Sequence, residues 1–227
     1  MEPGAEDGER RLADYYNRRA ASGCDHPPSR NRAEQRQRFI ALLKSEGRHS
    51  VLEVGTGTGL DGLKFVQAGI HYTGVDLAEG QVRLARARGL EVSVASARRL
   101  PFPKGSFPAL WSMSTLLHIP AYDIDAVLAE LVRVTAPGGL IAVGLWSGEG
   151  EELLNPEDDV EPRFFSRRSD ATVREVFGRH GDFEDFVTWQ EGAGTESGPG
   201  AGHWTQHYQF LVLRTPASPP DQVGRMS

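Results

Sequence analysis

The stretch VLEVGTGTGLDG, from Val51 to Gly62, places four glycines and two threonines directly behind an apolar run that carries one acid. Two patterns fit the same letters: acid-x-Gly-x-Gly-x-Gly counted from Glu53, and Gly-x-Gly-x-x-Gly counted from Gly57. The apolar run predicts a strand over residues 50–54, and the letters after the glycines predict a helix. Alternate glycines leave the backbone bare, so a ligand can reach amides that a Cβ would cover. This stretch therefore predicts a ligand-binding turn.

A second acid stands at the end of the next predicted strand. The strand IHYTGVDL, residues 70–77, contains Asp76, which lies 17 positions after Gly59. In a strand–helix–strand unit, a carboxylate at this place can accept hydrogen bonds from both hydroxyls of an adenosine ribose. Asp76 also precedes a predicted helix that it can cap. The position fits either nucleoside cofactor that the two glycine patterns suggest, S-adenosylmethionine or a dinucleotide.

The centre of the chain continues to alternate between helices and strands. Apolar residues recur at helical spacing over residues 122–136, and Pro137 with two glycines ends that helix. The next strand, residues 139–146, is apolar on both faces, which is typical of a parallel sheet covered on both sides. The last two strands, within residues 182–189 and 203–214, have no helix between them and should pair antiparallel. The sequence predicts an α/β fold with a doubly wound, mostly parallel seven-stranded sheet and an antiparallel final strand pair.

The two ends of the chain differ from this centre. Helical patterns within residues 10–21 and 31–45 precede the first strand, and the last residues are rich in proline and polar side chains. We expect an N-terminal helical cap or lid at residues 1–47, a core at residues 48–214 and a disordered tail at residues 215–227.

Composition restricts the partners of the protein. The 227 residues carry a net charge of -6, which gives no overall attraction to nucleic acid. The single cysteine, Cys24, excludes an internal disulfide and a cysteine-type metal site, and we expect no metal. No apolar stretch approaches the length of a membrane span. We expect a cytoplasmic protein without membrane contact, a monomer or a homodimer, that acts on a small molecule.

Four motifs occur in a characteristic order: VLEVGTGTG, GVDLA, LPFPKGSF and LAELVRVTAPGGLIAV. This set resembles the class I S-adenosylmethionine-dependent methyltransferases, especially their small-molecule branch, over about Ser50 to Trp146. A dinucleotide-binding domain has no reason to carry the last two motifs, so the resemblance favours S-adenosylmethionine over NAD. It implies a Rossmann-like methyltransferase fold and methyl transfer to oxygen or nitrogen of a small molecule.

The resemblance implies twelve cofactor residues: Tyr16, Glu53, Gly55, Thr56, Gly57, Gly59, Asp76, Leu77, Ser96, Ala97, Ser112 and Met113. Glu53 and the turn from Gly55 to Gly59 are expected to hold the methionine portion. Tyr16, on the N-terminal helix, is a candidate partner of the methionine carboxylate. Asp76 is expected to bind the ribose diol.

The remaining cofactor residues follow the second, third and fourth strands. The resemblance implies that Leu77 packs against adenine and that Ala97 offers its amide to the adenine ring. Ser112 and Met113 are expected near the sulfonium. Leu77 and Met113 are equally typical of an ordinary core.

The chain departs from the family at two positions. The family commonly has an aspartate before Ala97, where it accepts from the adenine amino group, and this chain has Ser96. A neutral hydroxyl is a weaker acceptor than a carboxylate. The family also commonly has Phe-Asp where this chain has Phe107-Pro108, and because proline lacks the ladder N–H, we expect the fourth strand to begin near Ala109. These departures leave open a homologue that binds the cofactor without catalysis.

Three residues are candidates for the acceptor side. His118, in STLLHIP after the fourth strand, is the candidate general base, although a histidine there is also typical of a packed residue. Trp146, at the end of the fifth strand, is a candidate apolar wall. His203, near the start of the last strand, is a candidate substrate contact or part of a solvated edge.

RNA remains an alternative acceptor. Arg83, Arg86, Arg88, Arg98 and Arg99 can form a basic surface, although exposed arginines are usually solvated. The segment EPRFFSRRSD with the later FVTW loosely resembles wobble-uridine tRNA methyltransferases.

Overall fold

The computed structural model describes residues 5–23, 27–150, 152–154, 163–191 and 206–217. Its helices are α1 (Ala5–Ala21), α2 (Arg30–Ser45), α3 (Leu60–Gln67), α4 (Glu79–Ala87), α5 (Ile124–Val134) and α6 (Asp170–Phe177). Its strands are β1 (Ser50–Val54), β2 (His71–Asp76), β3 (Val92–Val94), β4 (Phe107–Met113), β5 (Thr135–Trp146), β6 (Glu152–Leu154), β7 (Phe164–Ser166), β8 (Asp182–Glu191) and β9 (Gln206–Arg214). No helix in these ranges is long and apolar enough to cross a membrane.

Seven of these strands form one sheet in the order β3-β2-β1-β4-β5-β9-β8. The first five run parallel, and β9 lies antiparallel between β5 and β8. The predicted doubly wound sheet with an antiparallel final strand pair is confirmed. The order turns back at β1 and β4, so the carboxyl ends of these strands face the crevice where open α/β sheets bind ligands.

The core consists of two clusters, one on each face of the sheet. Consecutive strand residues alternate between them: Leu52 packs with α5 and α6, whereas Val51 packs with α2, α3 and α4. Strands buried on both faces must be apolar throughout, which explains the continuous apolar runs in the sequence. Helix α5 buries the stripe that its spacing predicts: Ile124, Val127, Leu128, Leu131 and Val134.

The predicted boundaries around β4 and β5 are wrong. Strand β4 begins at Phe107 and not near Ala109, and β5 begins at Thr135, so Pro137 lies inside a strand. The pairing of β4 with β5 shifts register between Phe107 and Ala109, and Pro108 sits in that irregularity, where no ladder N–H is needed. The proline carbonyl instead accepts a hydrogen bond from Arg48 at 3.0 Å.

Several sequence-based expectations concern residues outside this description. His203, the tail from residue 218 onward and Cys24 lie outside the described residues. The division at residues 47 and 48 stays a prediction. The antiparallel pair of β6 and β7 was not predicted, because no sequence pattern indicated either strand.

Candidate active site

The glycine turn joins β1 to α3 with positive φ angles at Gly55, Gly57 and Gly59. Internal packing explains two of the three, because a Cβ at Gly55 would collide with Thr115 and a Cβ at Gly59 with Leu90. At Gly57 a Cβ would meet no described atom within 4 Å. The backbone of Gly57 is therefore bare toward open space, as close approach of a ligand to the turn requires.

Asp76 holds this turn to the next strand. One carboxylate oxygen accepts from the Gly57 amide at 2.8 Å, and the other accepts from the Ala78 amide at 2.9 Å. The enclosed position of Asp76 raises the pKa of its carboxyl, although the amide hydrogen bonds act in the opposite direction. Asp76 thus stabilises both the glycine turn and the start of α4, and its carboxylate lies at the carboxyl end of β2.

Glu53 is oriented differently from Asp76. It is only 3% exposed, and its Oε2 accepts from the Tyr72 hydroxyl at 2.6 Å. Burial first, and then the charge of Asp61, raise the pKa of Glu53 well above its usual range. The structure brings Glu53 to Tyr72 in the interior, and its predicted role toward methionine stays a prediction.

Asp61, in the first turn of α3, was missed by the sequence reasoning. Its carboxylate pairs with Arg36 and with Arg32 of α2 and accepts from the Trp111 indole at 3.0 Å. An acid directly after a glycine turn, together with arginines in the preceding helix, was the available signal. This network fixes α2 against the helix that follows the turn.

The last residues of β4 are buried in the core, and the residue that follows them has an unusual backbone conformation. The Ser112 hydroxyl is fully buried and donates to the Val54 carbonyl at 2.9 Å, and Met113 packs in the core beside Gly144. Their side chains therefore stabilise the sheet. The next residue, Ser114, has a φ of +52° and a hydroxyl 2.9 Å from the Tyr208 hydroxyl. A non-glycine residue in this left-handed region of backbone conformation is strained. No local sequence pattern predicts this conformation at Ser114.

His118 lies in a 3₁₀ turn, Leu116–His118, directly after β4. Its Nδ1 is 2.8 Å from the Phe164 carbonyl oxygen, and its Nε2 is 3.0 Å from the Tyr16 hydroxyl. A carbonyl can only accept, so Nδ1 carries a proton, and when the ring is neutral Nε2 accepts the Tyr16 proton. The structure thus joins two residues predicted for different roles, Tyr16 for the cofactor and His118 for catalysis.

Two arginines support this pair. The Arg163 guanidinium lies 4.4 Å from the Tyr15 ring centre and 5.0 Å from that of Phe165, and its Nη1 is 3.5 Å from the Tyr16 hydroxyl. Burial raises the pKa of Tyr16, and Arg163 opposes that effect. Arg168, only 4% exposed, donates to the carbonyls that surround the 3₁₀ turn: Leu116 (3.5 Å), Ser166 (3.1 Å) and Ile119 (2.7 Å).

Helix α1 lies across the loops that follow three strands. Asn17 accepts from the Gly80 amide at 2.7 Å, and Tyr16 bonds His118. Glu9 accepts from the Ser96 hydroxyl at 2.5 Å and from Arg98 at 2.6 Å. The helix therefore contacts the segments after β2, β3 and β4 together, and its role as a lid stays a prediction.

Aromatic rings cover the end of β5. Trp146 and Trp189 are the partners of Tyr208 in the two neighbouring ladders, with ring centres 5.0 Å and 5.1 Å from it. Trp146 is half-buried in this row, and its role as a substrate wall stays a prediction. Leu77 and Ala97 are half-buried beside the ends of β2 and β3, and their predicted adenine contacts stay predictions.

The arginines considered for RNA are partly engaged within the protein. Arg86 donates to the Val92 carbonyl, and Arg88 donates to that of Thr58. Arg98 pairs with Glu9 and Asp123. These guanidinium groups stabilise loops, which reduces their availability for phosphate.

Known proteins resemble this chain in its central part. The family description "Methyltransferase domain" matches residues 51–139. The chain is 30% identical over 116 residues to 27-O-demethylrifamycin SV methyltransferase of Amycolatopsis mediterranei, covering 47% of this chain and 42% of that protein. It is 35% identical over 112 residues to "Probable tRNA methyltransferase 9B" of Mus musculus, covering 48% of this chain and 24% of that protein. The chain thus spans less than half the length of these two relatives.

A solved structure resembles the chain over nearly its whole length. The magnesium protoporphyrin IX methyltransferase from Synechocystis PCC 6803, crystallised with bound SAM, aligns with a TM-score of 0.65 at 14% identity. The alignment covers 94% of this chain and 99% of that one. At this identity the likeness concerns the fold, and function has to be argued from the site.

Proposed function

We propose that the chain is a class I S-adenosylmethionine-dependent methyltransferase and that it transfers a methyl group from S-adenosylmethionine to oxygen or nitrogen of a small molecule. One observation carries the proposal: a bare backbone at Gly57 and the Asp76 carboxylate meet at the carboxyl ends of β1 and β2. The Gly57 amide already donates to Asp76, so the pair offers an open backbone surface for close approach of a ligand. The Asp76 carboxylate keeps acceptor capacity for a ribose diol.

The residues present fit the cofactor. The turn from Gly55 to Gly59 would hold the methionine portion, and Asp76 would hold the ribose. The side-chain oxygen of Gln81, buried in the first turn of α4, has no hydrogen-bond partner among the described residues and is an acceptor still available in that helix. The cofactor supplies a methyl group activated on a sulfonium, so the protein has to align the acceptor and remove its proton.

His118 is the group that takes this proton. Its Nδ1–H is held by the Phe164 carbonyl, so its Nε2 lone pair points at the Tyr16 hydroxyl. An acceptor hydroxyl that replaces Tyr16 at Nε2 would give its proton to His118 while its oxygen bonds the methyl carbon, and the carbon–sulfur bonding pair would remain on sulfur. The backbone carbonyl would keep the resulting imidazolium oriented.

A tRNA acceptor is the second candidate, because a relative with 35% identity carries a tRNA methyltransferase name. Two observations argue against it: the net charge is -6, and three of the five candidate arginines bond the protein itself. We therefore favour a small acceptor, with Trp146 as part of its wall.

Calorimetry tests the cofactor, and a labelled assay tests the acceptor. We expect S-adenosylhomocysteine to bind with Kd on the order of micromolar and NAD to bind far more weakly. No heat with millimolar S-adenosylhomocysteine, or a preference for NAD, would refute the proposal. With methyl-labelled S-adenosylmethionine, label should enter phenols, alcohols or amines, whereas salt-sensitive labelling of tRNA alone would favour the second candidate.

A further inference from the structure

The order of the strands decides where the base of a nucleoside would lie. The glycine turn follows β1, Asp76 ends β2, and β3 is the outer neighbour of β2, with Asp76 paired to Val94. A nucleoside with its ribose at Asp76 and its amino-acid portion at the glycine turn must extend its base away from β1. The base therefore lies at the end of β3. This inference rests on the proposed cofactor.

The end of β3 carries no acid of its own, but a carboxylate reaches it from α1. Ser96 follows β3 and donates its hydroxyl to Glu9 Oε1, and Arg98 donates to the same oxygen. Arg98 also donates to Asp123 at 2.9 Å, which fixes its guanidinium. Both bonds to Glu9 fall on Oε1, and no group among the described residues bonds Oε2. A carboxylate has acceptor capacity for about four hydrogen bonds, so Glu9 retains capacity on Oε2.

Adenine and hypoxanthine differ in what they present to such a carboxylate. Adenine has an exocyclic amine, which donates, whereas hypoxanthine has a carbonyl oxygen at the same position, which a carboxylate repels. We propose that Glu9 accepts a hydrogen bond from the adenine amino group and that it selects adenine over hypoxanthine in the cofactor. The carboxylate that Ser96 does not provide is thus supplied by the lid helix.

This assignment has a physical consequence for the lid. Glu9 lies on the helix whose Asn17 caps α4 and whose Tyr16 bonds His118. Recognition of the base by Glu9 would therefore help to hold α1 across the ends of β2 and β3.

Calorimetry with S-adenosylhomocysteine and S-inosylhomocysteine tests the proposal without turnover. The unmodified protein should bind the adenine compound at least about tenfold more tightly, as expected for one charge-assisted hydrogen bond. Glu9→Ala should reduce this ratio to about twofold or less, because the discriminating carboxylate is gone. Glu9→Gln should reduce it as well, because an amide can either accept from an amine or donate to a carbonyl.

Asp7→Ala is the matched control, because Asp7 lies on the same helix and pairs with Arg10 and Arg11 of that helix. It should leave the ratio unchanged. Combining Glu9→Ala with Ser96→Asp moves the carboxylate from α1 to the end of β3 and should restore the preference for adenine. Circular dichroism and Tm confirm that each variant is folded.

The outcomes separate this inference from the proposed function. If neither compound binds the unmodified protein, the proposed function fails. If the adenine compound binds tightly and Glu9→Ala keeps the full ratio, Glu9 is not the selecting group. A double variant that stays at the ratio of Glu9→Ala would contradict the location of the base at the end of β3.

Discussion

The two halves of the cleft are built in different ways. At the ends of β1 and β2, Asp76 bonds backbone amides of Gly57 and Ala78, and these residues lie within one short strand–helix–strand unit. At the end of β4, His118 depends on Phe164, which is 46 residues away, and on Tyr16, which is 102 residues away. The first half is a property of the local backbone, whereas the second is assembled from remote segments.

This difference indicates which half of the cleft can change its chemistry through single substitutions. A site made of backbone amides tolerates few substitutions, because turn geometry and glycine conformation fix it. A site made of side chains from separate segments can be altered one segment at a time. We therefore expect single substitutions to affect binding in the first half and turnover in the second.

His118→Ala should have the largest effect and break the second half alone. Loss of the base should lower turnover about 10²–10⁴-fold for an oxygen acceptor. The affinity for S-adenosylhomocysteine, measured by calorimetry, should change less than about twofold, because the ring bonds Phe164 and Tyr16 and not the glycine turn. His180→Ala is the control, because that ring pairs with Asp125. Unchanged turnover would reduce His118 to a packing residue.

Asp76→Ala should break the first half. It removes the acceptor of two amides and the expected partner of the ribose, so the affinity for S-adenosylhomocysteine should fall at least about 100-fold, or ~3 kcal/mol. Glu79→Ala, which removes an exposed acid from the first turn of α4, serves as the matched variant. Near-normal affinity of the Asp76 variant would exclude that residue from the site.

Arg168→Met should show that the half of the cleft around His118 depends on hydrogen bonds from Arg168. The substitution leaves the three carbonyls around the 3₁₀ turn without their donor, which should cost ~2–3 kcal/mol in the free energy of unfolding measured with urea. The neighbouring Arg167→Met should cost less than ~1 kcal/mol, because the Arg167 side chain is half-buried and its guanidinium lies 5.9 Å from the Phe165 ring. Equal losses in the two variants would contradict the positioning role of Arg168.

Glu53→Gln should have the smallest effect and sharpen the boundary between site and core. Burial raises the Glu53 pKa, so the stability from the protonated carboxyl is complete below the unfolded pKa and is lost as pH rises through the folded pKa. Glutamine keeps an acceptor for Tyr72 and does not ionise. The difference in the free energy of unfolding between variant and unmodified protein should thus grow with pH, and Tm measured at several pH values follows it. Its full size is about 1.4 kcal/mol for each unit by which folding raises the Glu53 pKa. A pH-independent difference would show that folding does not raise the Glu53 pKa.

The sequence was sufficient for the first half and for the sheet. Strand alternation, the glycine turn and Asp76 are local patterns, and the structure places them together. The sequence was insufficient for contacts between segments that are far apart in the chain. No residue spacing predicts that Glu9 bonds Ser96 or that Arg168 bonds the carbonyls around the 3₁₀ turn. Pro108 misled the prediction because the lack of an N–H excludes a regular ladder position but not a register shift.

Helix α1 has one further consequence. Tyr16 and Asn17 follow Glu9 by seven and eight positions, which places both about two turns further along the helix and on the same side as Glu9. A movement that lifts this side of the helix away from the sheet would break all of these contacts at once. We therefore expect these contacts of α1 to form and to break together.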